Sequence, residues 1–355
     1  MWKSQLTSPT CPSTPAVWVV RAAWLIGGGS CGLLSRHMSY NRVLTIQDIS
    51  CVGQCSITVA LPILSACGQE TAILPSAVLS THTAPGFSGW TFRDLTEDMP
   101  GIAANWCDQK ISFDGLYTGY LGSEHQIDIV TDIASTLLNE GAPFIVDPAM
   151  ADNGQLYPGF DENFVAAMAR LAFSADIIIP NITEACLITG YEYRDSYDEA
   201  YITGLVEALV AKGASTIVLT GVSYDPTHMG VLVYEDGETT YYEHERLAKG
   251  SHGTGDVYSS ALVGAYMNGR TLVEAAHLAA DYTVRCIKAT QGDDSHWYGP
   301  KFELELPWLV AQLDETLDIL GNPELVEQLL SSDEESAITM TKAQALALIG
   351  RNKVD

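Results

Sequence analysis

Along the chain, short runs of Val, Ile and Leu alternate with longer segments whose apolar residues recur every three or four positions. The short runs predict strands at Arg42–Ile46, Thr71–Val78, Gly115–Thr118, Pro143–Val146, Asp176–Ile179 and Thr216–Leu219. The longer segments predict helices, among them Ser123–Asn139, Glu162–Phe173, Glu199–Lys212 and Val257–Asn268. Strict alternation of this kind builds a parallel sheet covered by helices on both faces, because each parallel crossover needs a helix. A hairpin interrupts the pattern: Gly230–Tyr234, a turn at Asp236-Gly237, then Thr239–Glu245. The expected fold is therefore α/β, a three-layer αβα sandwich around a mostly parallel sheet.

The ends of the chain break the pattern. No Asp or Glu precedes Asp48, and the apolar run Ala16–Leu34 is interrupted by Arg21, which makes a poor membrane span. Residues 1–37 are read as a leader outside the fold, with Met38 as the favoured start of a domain covering 38–321. Residues 322–355 are read as a polar linker and a short helical tail, Thr341–Ile349. Composition then removes some functions. The 355 residues carry a net charge of -26, which excludes a phosphate-backbone surface and hence nucleic-acid binding. The eight cysteines follow no disulfide framework and suit the reducing cytoplasm, where a soluble, membrane-free enzyme is expected. Cys51 and Cys55 lack a second pair at zinc spacing.

In an open parallel sheet, ligands bind beyond the carboxyl ends of the strands. All six predicted strands finish there on polar residues: Gln47-Asp48, Ser80-Thr81-His82-Thr83, Gly119-Tyr120, Asp147, Asn181 with Glu184, and Thr220-Gly221. Each alone could be a cap or turn residue; together they mark a rim. The sharpest motif is Gly253-Thr254-Gly255-Asp256, running into a helix. Glycines let backbone N–H groups approach an anion, and the helix start adds positive charge. A carboxylate there would repel phosphate unless it removes a proton from an attacking hydroxyl. The loop is not a Walker sequence, since no Gly-Lys-Ser/Thr follows.

These stretches resemble the ribokinase superfamily, and within it the pyridoxal/pyridoxamine kinases. The resemblance is carried by Leu44–Asp48, Ser80–Thr83, Tyr117–Ser123, Val146–Met150, Pro180–Glu184 and Gly253–Asp256, in family order. It implies a ribokinase-like fold with no separate lid domain and ATP-dependent phosphorylation of a vitamin B6 hydroxymethyl group. Carried over residue by residue, Asp256 is the base and Gly253, Thr254 and Gly255 form the anion hole. Asp48, Thr83 and Tyr120 line the vitamer pocket, and His82 is a neighbour. Asp147, Asn181, Glu184 and Thr220 meet the nucleotide, with Asp147 and Glu184 holding Mg²⁺. The resemblance also implies a homodimer and leaves room for a monovalent cation.

Two departures bear on specificity. Asp48 stands where many pyridoxal kinases carry serine, and would favour a cationic vitamer such as pyridoxamine. Ser251-His252 precede the anion hole where some relatives have cysteines, which removes a covalent hemithioacetal. The alternatives are a hydroxymethylpyrimidine kinase, for which a Gly-rich run after the first strand is missing, and a non-catalytic B6-binding protein, for which a base beside an anion hole is superfluous.

Overall fold

The computed structural model describes residues 40–84, 86–247 and 252–313. The expected leader and tail lie outside them. The described residues all belong to one compact unit, Arg36–Asp318.

The chain opens with β1 (Arg42–Ser50), α1 (Ile57–Ala66), β2 (Glu70–Leu79), a short β3 (Phe92–Asp94) and α2 (Met99–Asp108). Then follow β4 (Gly115–Thr118), α3 (Glu124–Leu137), β5 (Phe144–Val146), the small hairpin β6 (Ala151–Asp152) and β7 (Gln155–Leu156), and α4 (Glu162–Ala172). The second half holds β8 (Ile177–Ile178), α5 (Ile182–Thr189), α6 (Glu199–Lys212), β9 (Thr216–Val222), β10 (His228–Glu235) and β11 (Glu238–Glu245). Three helices complete it: α7 (Thr254–Met267), α8 (Leu272–Thr290) and α9 (Leu306–Leu313). The nine-stranded sheet runs β11-β10-β9-β8-β5-β4-β1-β2-β3. Strands β2, β1, β4, β5, β8 and β9 pair in parallel, while β3 and the β10–β11 hairpin are antiparallel at the two edges.

Alternation along each strand feeds two cores. Leu44, Ile46, Leu116, Phe144, Val146, Ile178, Ile217 and Leu219 pack on one face, against α3, α4, α5 and α6. Val43, Tyr117, Ile145, Ile177, Ile179 and Val218 pack on the other, against α1, α7, α8 and α9. Successive residues of a strand point to opposite faces, so a sheet buried on both sides has to be apolar at nearly every position. This is the expected αβα sandwich. No separate lid domain is found among the described residues; the only second sheet there is the two-stranded β6–β7.

Two boundaries differ in ways that affect the site. β1 was expected to end at Ile46 but continues to Ser50, so Asp48 lies within the strand. Gln47, Asp48 and Ser50 are buried polar residues, which a hydrophobicity pattern reads as a strand end. Between Gln47 and Ile49 the register against β2 slips by one residue. Helix α7 begins at Thr254, three residues before the expected Val257, and this places Asp256 in its first turn. The edge strand β3 had no signal because all three of its residues are exposed.

Candidate active site

The site is built from the start of α7. Gly253 precedes the helix with φ of +83°, and a Cβ on it would lie 1.9 Å from the Gln54 carbonyl oxygen. Both the left-handed backbone and this close approach demand glycine. As N-cap it offers no capping side chain, so the first-turn N–H groups have no side-chain acceptor from that position. Gly255 is exposed, and a Cβ there would meet nothing within 4 Å. An uncapped helix start beside open space is a ready place for an anion.

Four carboxylates gather at this rim. Asp48, Asp147 and Glu184 are buried, each less than a tenth exposed, at or beyond the carboxyl ends of β1, β5 and β8. Asp256, in the first turn of α7, keeps partial exposure as a residue, yet protein surrounds its carboxyl closely. Burial pushes the Asp256 carboxyl up to about 7, opposed by the Ser56 N–H and reinforced by the charges of Asp147 and Asp48. Burial also raises Asp147, against a 2.7 Å hydrogen bond donated by Ser259 Oγ. Glu184 is raised by burial and by the Asp147 charge. Burial raises Asp48, while the Ser56 and Ser50 hydroxyls counter it; Ser50 Oγ donates to Asp48 Oδ2 at 2.9 Å. No ion pair with a basic side chain reaches any of the four among the described residues. Burial favours the protonated forms of these carboxyls, and a cation bound from outside the chain would offset the cost of ionising them. The donor set near Asp147 and Glu184 is hard oxygen, which suits Mg²⁺.

The remaining rim residues separate by their contacts. Asn181 caps α5: its Oδ1 accepts the Glu184 N–H at 3.0 Å and its Nδ2 donates to the Ala151 carbonyl at 2.8 Å. Glu184 closes the box by accepting the Asn181 N–H at 2.9 Å and the Met150 N–H at 3.1 Å. Asn181 therefore spends its amide on holding Glu184 and the β5–β6 loop together. Thr220 lies beside Asn181 through a parallel bridge, followed by Gly221 in open space. Tyr120 is partly buried, its ring 5.5 Å from Phe160, and the Asp48 charge reaches its hydroxyl. Thr83 is exposed on the β2–β3 connection. His82 is buried; its Nδ1 accepts the Ala84 N–H, so Nε2 carries the proton donated to the Tyr298 carbonyl at 3.0 Å. Burial lowers its pKa, and both ring nitrogens are engaged within the protein, so the ring ties three loops together.

Several participants gave little sign in the sequence. Ser56, at φ of 55°, brings its N–H toward Asp256 and its hydroxyl toward Asp48. The Tyr157 hydroxyl lies in the field of Glu184, Asp147 and Asp256. Ser259 follows Asp256 by three positions, a helical spacing that puts both on one face and could have been read.

The chain is similar to known proteins in sequence and in fold. Residues 102–300 match the phosphomethylpyrimidine kinase family. The chain is 26% identical to the pyridoxal kinase of Sus scrofa over 344 residues, covering 86% of this chain and 98% of that one. The crystal structure of pyridoxal kinase from Lactobacillus plantarum superposes with a TM-score of 0.71 at 31% identity, covering 77% of this chain and 97% of that one. A Bacteroides thetaiotaomicron protein classed as a phosphomethylpyrimidine kinase, crystallised with pyridoxal, gives 0.72 at 33% identity, with 76% and 96% coverage. Among the described residues no helix is long and apolar enough to cross a membrane. With the sheet order, the glycine turn into α7 and these relatives in agreement, the chain belongs to the phosphomethylpyrimidine and pyridoxal kinase family of the ribokinase superfamily.

Proposed function

We propose that this protein transfers the terminal phosphoryl group of ATP to the hydroxymethyl group of a vitamin B6 vitamer, giving the 5′-phosphate and ADP. The observation that carries the reading is Asp256, a carboxyl raised to about 7, set in the first turn of a helix whose N-cap is a bare glycine. A base poised near neutral pH takes the hydroxyl proton as the oxygen attacks phosphorus. The N–H groups around Gly253, Thr254 and Gly255 face the charge on the transferred phosphoryl oxygens. Asp147 and Glu184 would hold Mg²⁺, which when bound offsets phosphate charge. Asn181 keeps Glu184 in place, and Thr220 borders the nucleotide. Asp48, Thr83 and Tyr120 line the vitamer's side, Tyr120 offering a flat ring face.

Residues 38–321 are assigned to the kinase domain. A homodimer and a cytoplasmic location are proposed with it; the described cysteines are all free thiols, which suits a reducing compartment. A monovalent cation beside the nucleotide fits the same anionic rim.

A second reading, hydroxymethylpyrimidine as acceptor, is favoured by the family description matched at residues 102–300. Coupled ADP release measured with pyridoxal, pyridoxamine, pyridoxine and hydroxymethylpyrimidine separates the two. The B6 reading expects the highest kcat/KM among the three vitamers. A clear preference for the pyrimidine would replace it.

A further inference from the structure

Serine is a poorer helix former than alanine, and inside a helix its hydroxyl usually turns back to the carbonyl four residues earlier. Helix threonines, with the same hydroxyl, follow that habit elsewhere in the protein: Thr131, Thr203, Thr283 and Thr290 each donate to the i−4 carbonyl, at 2.7–3.0 Å. Ser259 of α7 does not. It is 1% exposed, and its Oγ leaves the helix to donate to Asp147 Oδ2 at 2.7 Å, across to the end of β5. No other side chain is found donating to Asp147 among the described residues. A bond this short to a carboxylate is charge-assisted and directional, so it fixes the carboxyl plane and leaves Oδ1 for another partner. Ser259 lies one helical turn beyond Asp256, on the same face of α7. One rigid helix thus carries the group beside the acceptor hydroxyl and the group that aims the carboxylate on the nucleotide side.

We propose that Ser259 is a positioning residue that orients Asp147 toward the cation and phosphates of the nucleotide. This rests on the reading of Asp147 as a cation residue, and the test separates the two. In the full-length protein, ADP affinity is measured by calorimetry with Mg²⁺ and with excess EDTA, alongside vitamer affinity. Ser259→Ala should weaken ADP binding about tenfold in Mg²⁺, the scale of one hydrogen bond to a charged group. Binding in EDTA and vitamer binding should stay unchanged, and KM for ATP should rise more than kcat falls. Ser259→Thr, which keeps the hydroxyl, should recover most of the affinity. If the alanine variant melts below the assay temperature, Ser259→Cys, similar in size but a weaker donor, carries the test with the same expected direction. Equal weakening with and without Mg²⁺, or none at all, overturns the positioning role. The Asp147→Asn variant tells which idea has failed. If it retains wild-type Mg²⁺ dependence, the cation reading falls and the Ser259 role with it. If it loses that dependence while Ser259→Ala keeps it, only the Ser259 role falls.

Discussion

Replacing Asp48 by serine tests how the vitamer pocket chooses its substrate. Asp48 is 5% exposed, and its described donors are the hydroxyls of Ser50 and Ser56 and its own backbone N–H, with no basic side chain paired to it. Burial has raised its pKa, which means that the charged form lacks the stabilisation water would give. A protonated aminomethyl group brought beside it supplies the missing counter-charge, whereas an aldehyde brings only an acceptor oxygen. A hydrogen bond to a charged group contributes about 1.5–3 kcal/mol, or roughly ten- to hundredfold in kcat/KM. Asp48→Ser should therefore lower kcat/KM for pyridoxamine by that range and raise it for pyridoxal. A second readout comes from the base. The Asp48 charge raises Asp256, so removing it should move the acid limb of the pH–rate profile to lower pH. Steady-state kinetics on both vitamers across pH 5.5–8.5 reads both effects in one variant. Parallel losses for the two vitamers would refute the specificity role, and an unmoved acid limb would refute the electrostatic contact.

Two further outcomes follow from the same geometry. Gly253→Ala must displace the loop, because its Cβ would lie 1.9 Å from a carbonyl oxygen, and turnover should fall by about 100-fold, the usual consequence of misplacing a reacting group by an ångström; Gly255→Ala meets open space and should leave the melting temperature nearly unchanged while slowing turnover, and the opposite ranking of the two melting temperatures would contradict this packing. The raised Asp256 keeps its proton in the folded state up to about pH 7, whereas the unfolded chain releases it near 4, so its contribution to stability is full below about 4 and lost as pH rises through about 7; the ligand-free protein should melt progressively lower from pH 5 to pH 8, with a shallower slope in Asp256→Asn, and identical slopes would show that the carboxyl is not raised.

Much of this architecture was readable in the chain because two-sided burial leaves a strong mark. Strands β5 and β8 and the Ile217–Leu219 part of β9 are apolar runs, and the α3, α4 and α6 segments carry the complementary period. The glycine–aspartate motif was legible for a local reason: a left-handed turn, a helix start and a carboxylate all fall within four residues. What escaped depends on neighbours distant in sequence. β1 runs past its apolar stretch because Gln47, Asp48 and Ser50 are polar yet enclosed by other segments. β3 is held by pairing with β2 and by hydrogen bonds to Asp94 from Thr96 and Gln126, and has no buried residue to announce it. Ser56 and Tyr157 come to the rim by chain crossing, and no spacing reveals that. Asn181 shows a different limit, since a cap and a ligand share the same residue type; its Oδ1 accepts the Glu184 N–H and one of its two amide N–H groups reaches the Ala151 carbonyl, contacts that only the folded chain reveals.

The central claim is that Asp256 removes the proton from the acceptor hydroxyl. Asp256→Asn keeps size and helix position but cannot accept that proton. Coupled ADP release with the preferred vitamer, measured beside calorimetric binding of vitamer and ADP, is the direct test. A general base predicts binding within about twofold of wild type and turnover lower by roughly 100-fold or more. Turnover near wild type, with only a stability loss of about 1 kcal/mol as for a lost helix cap, would contradict it.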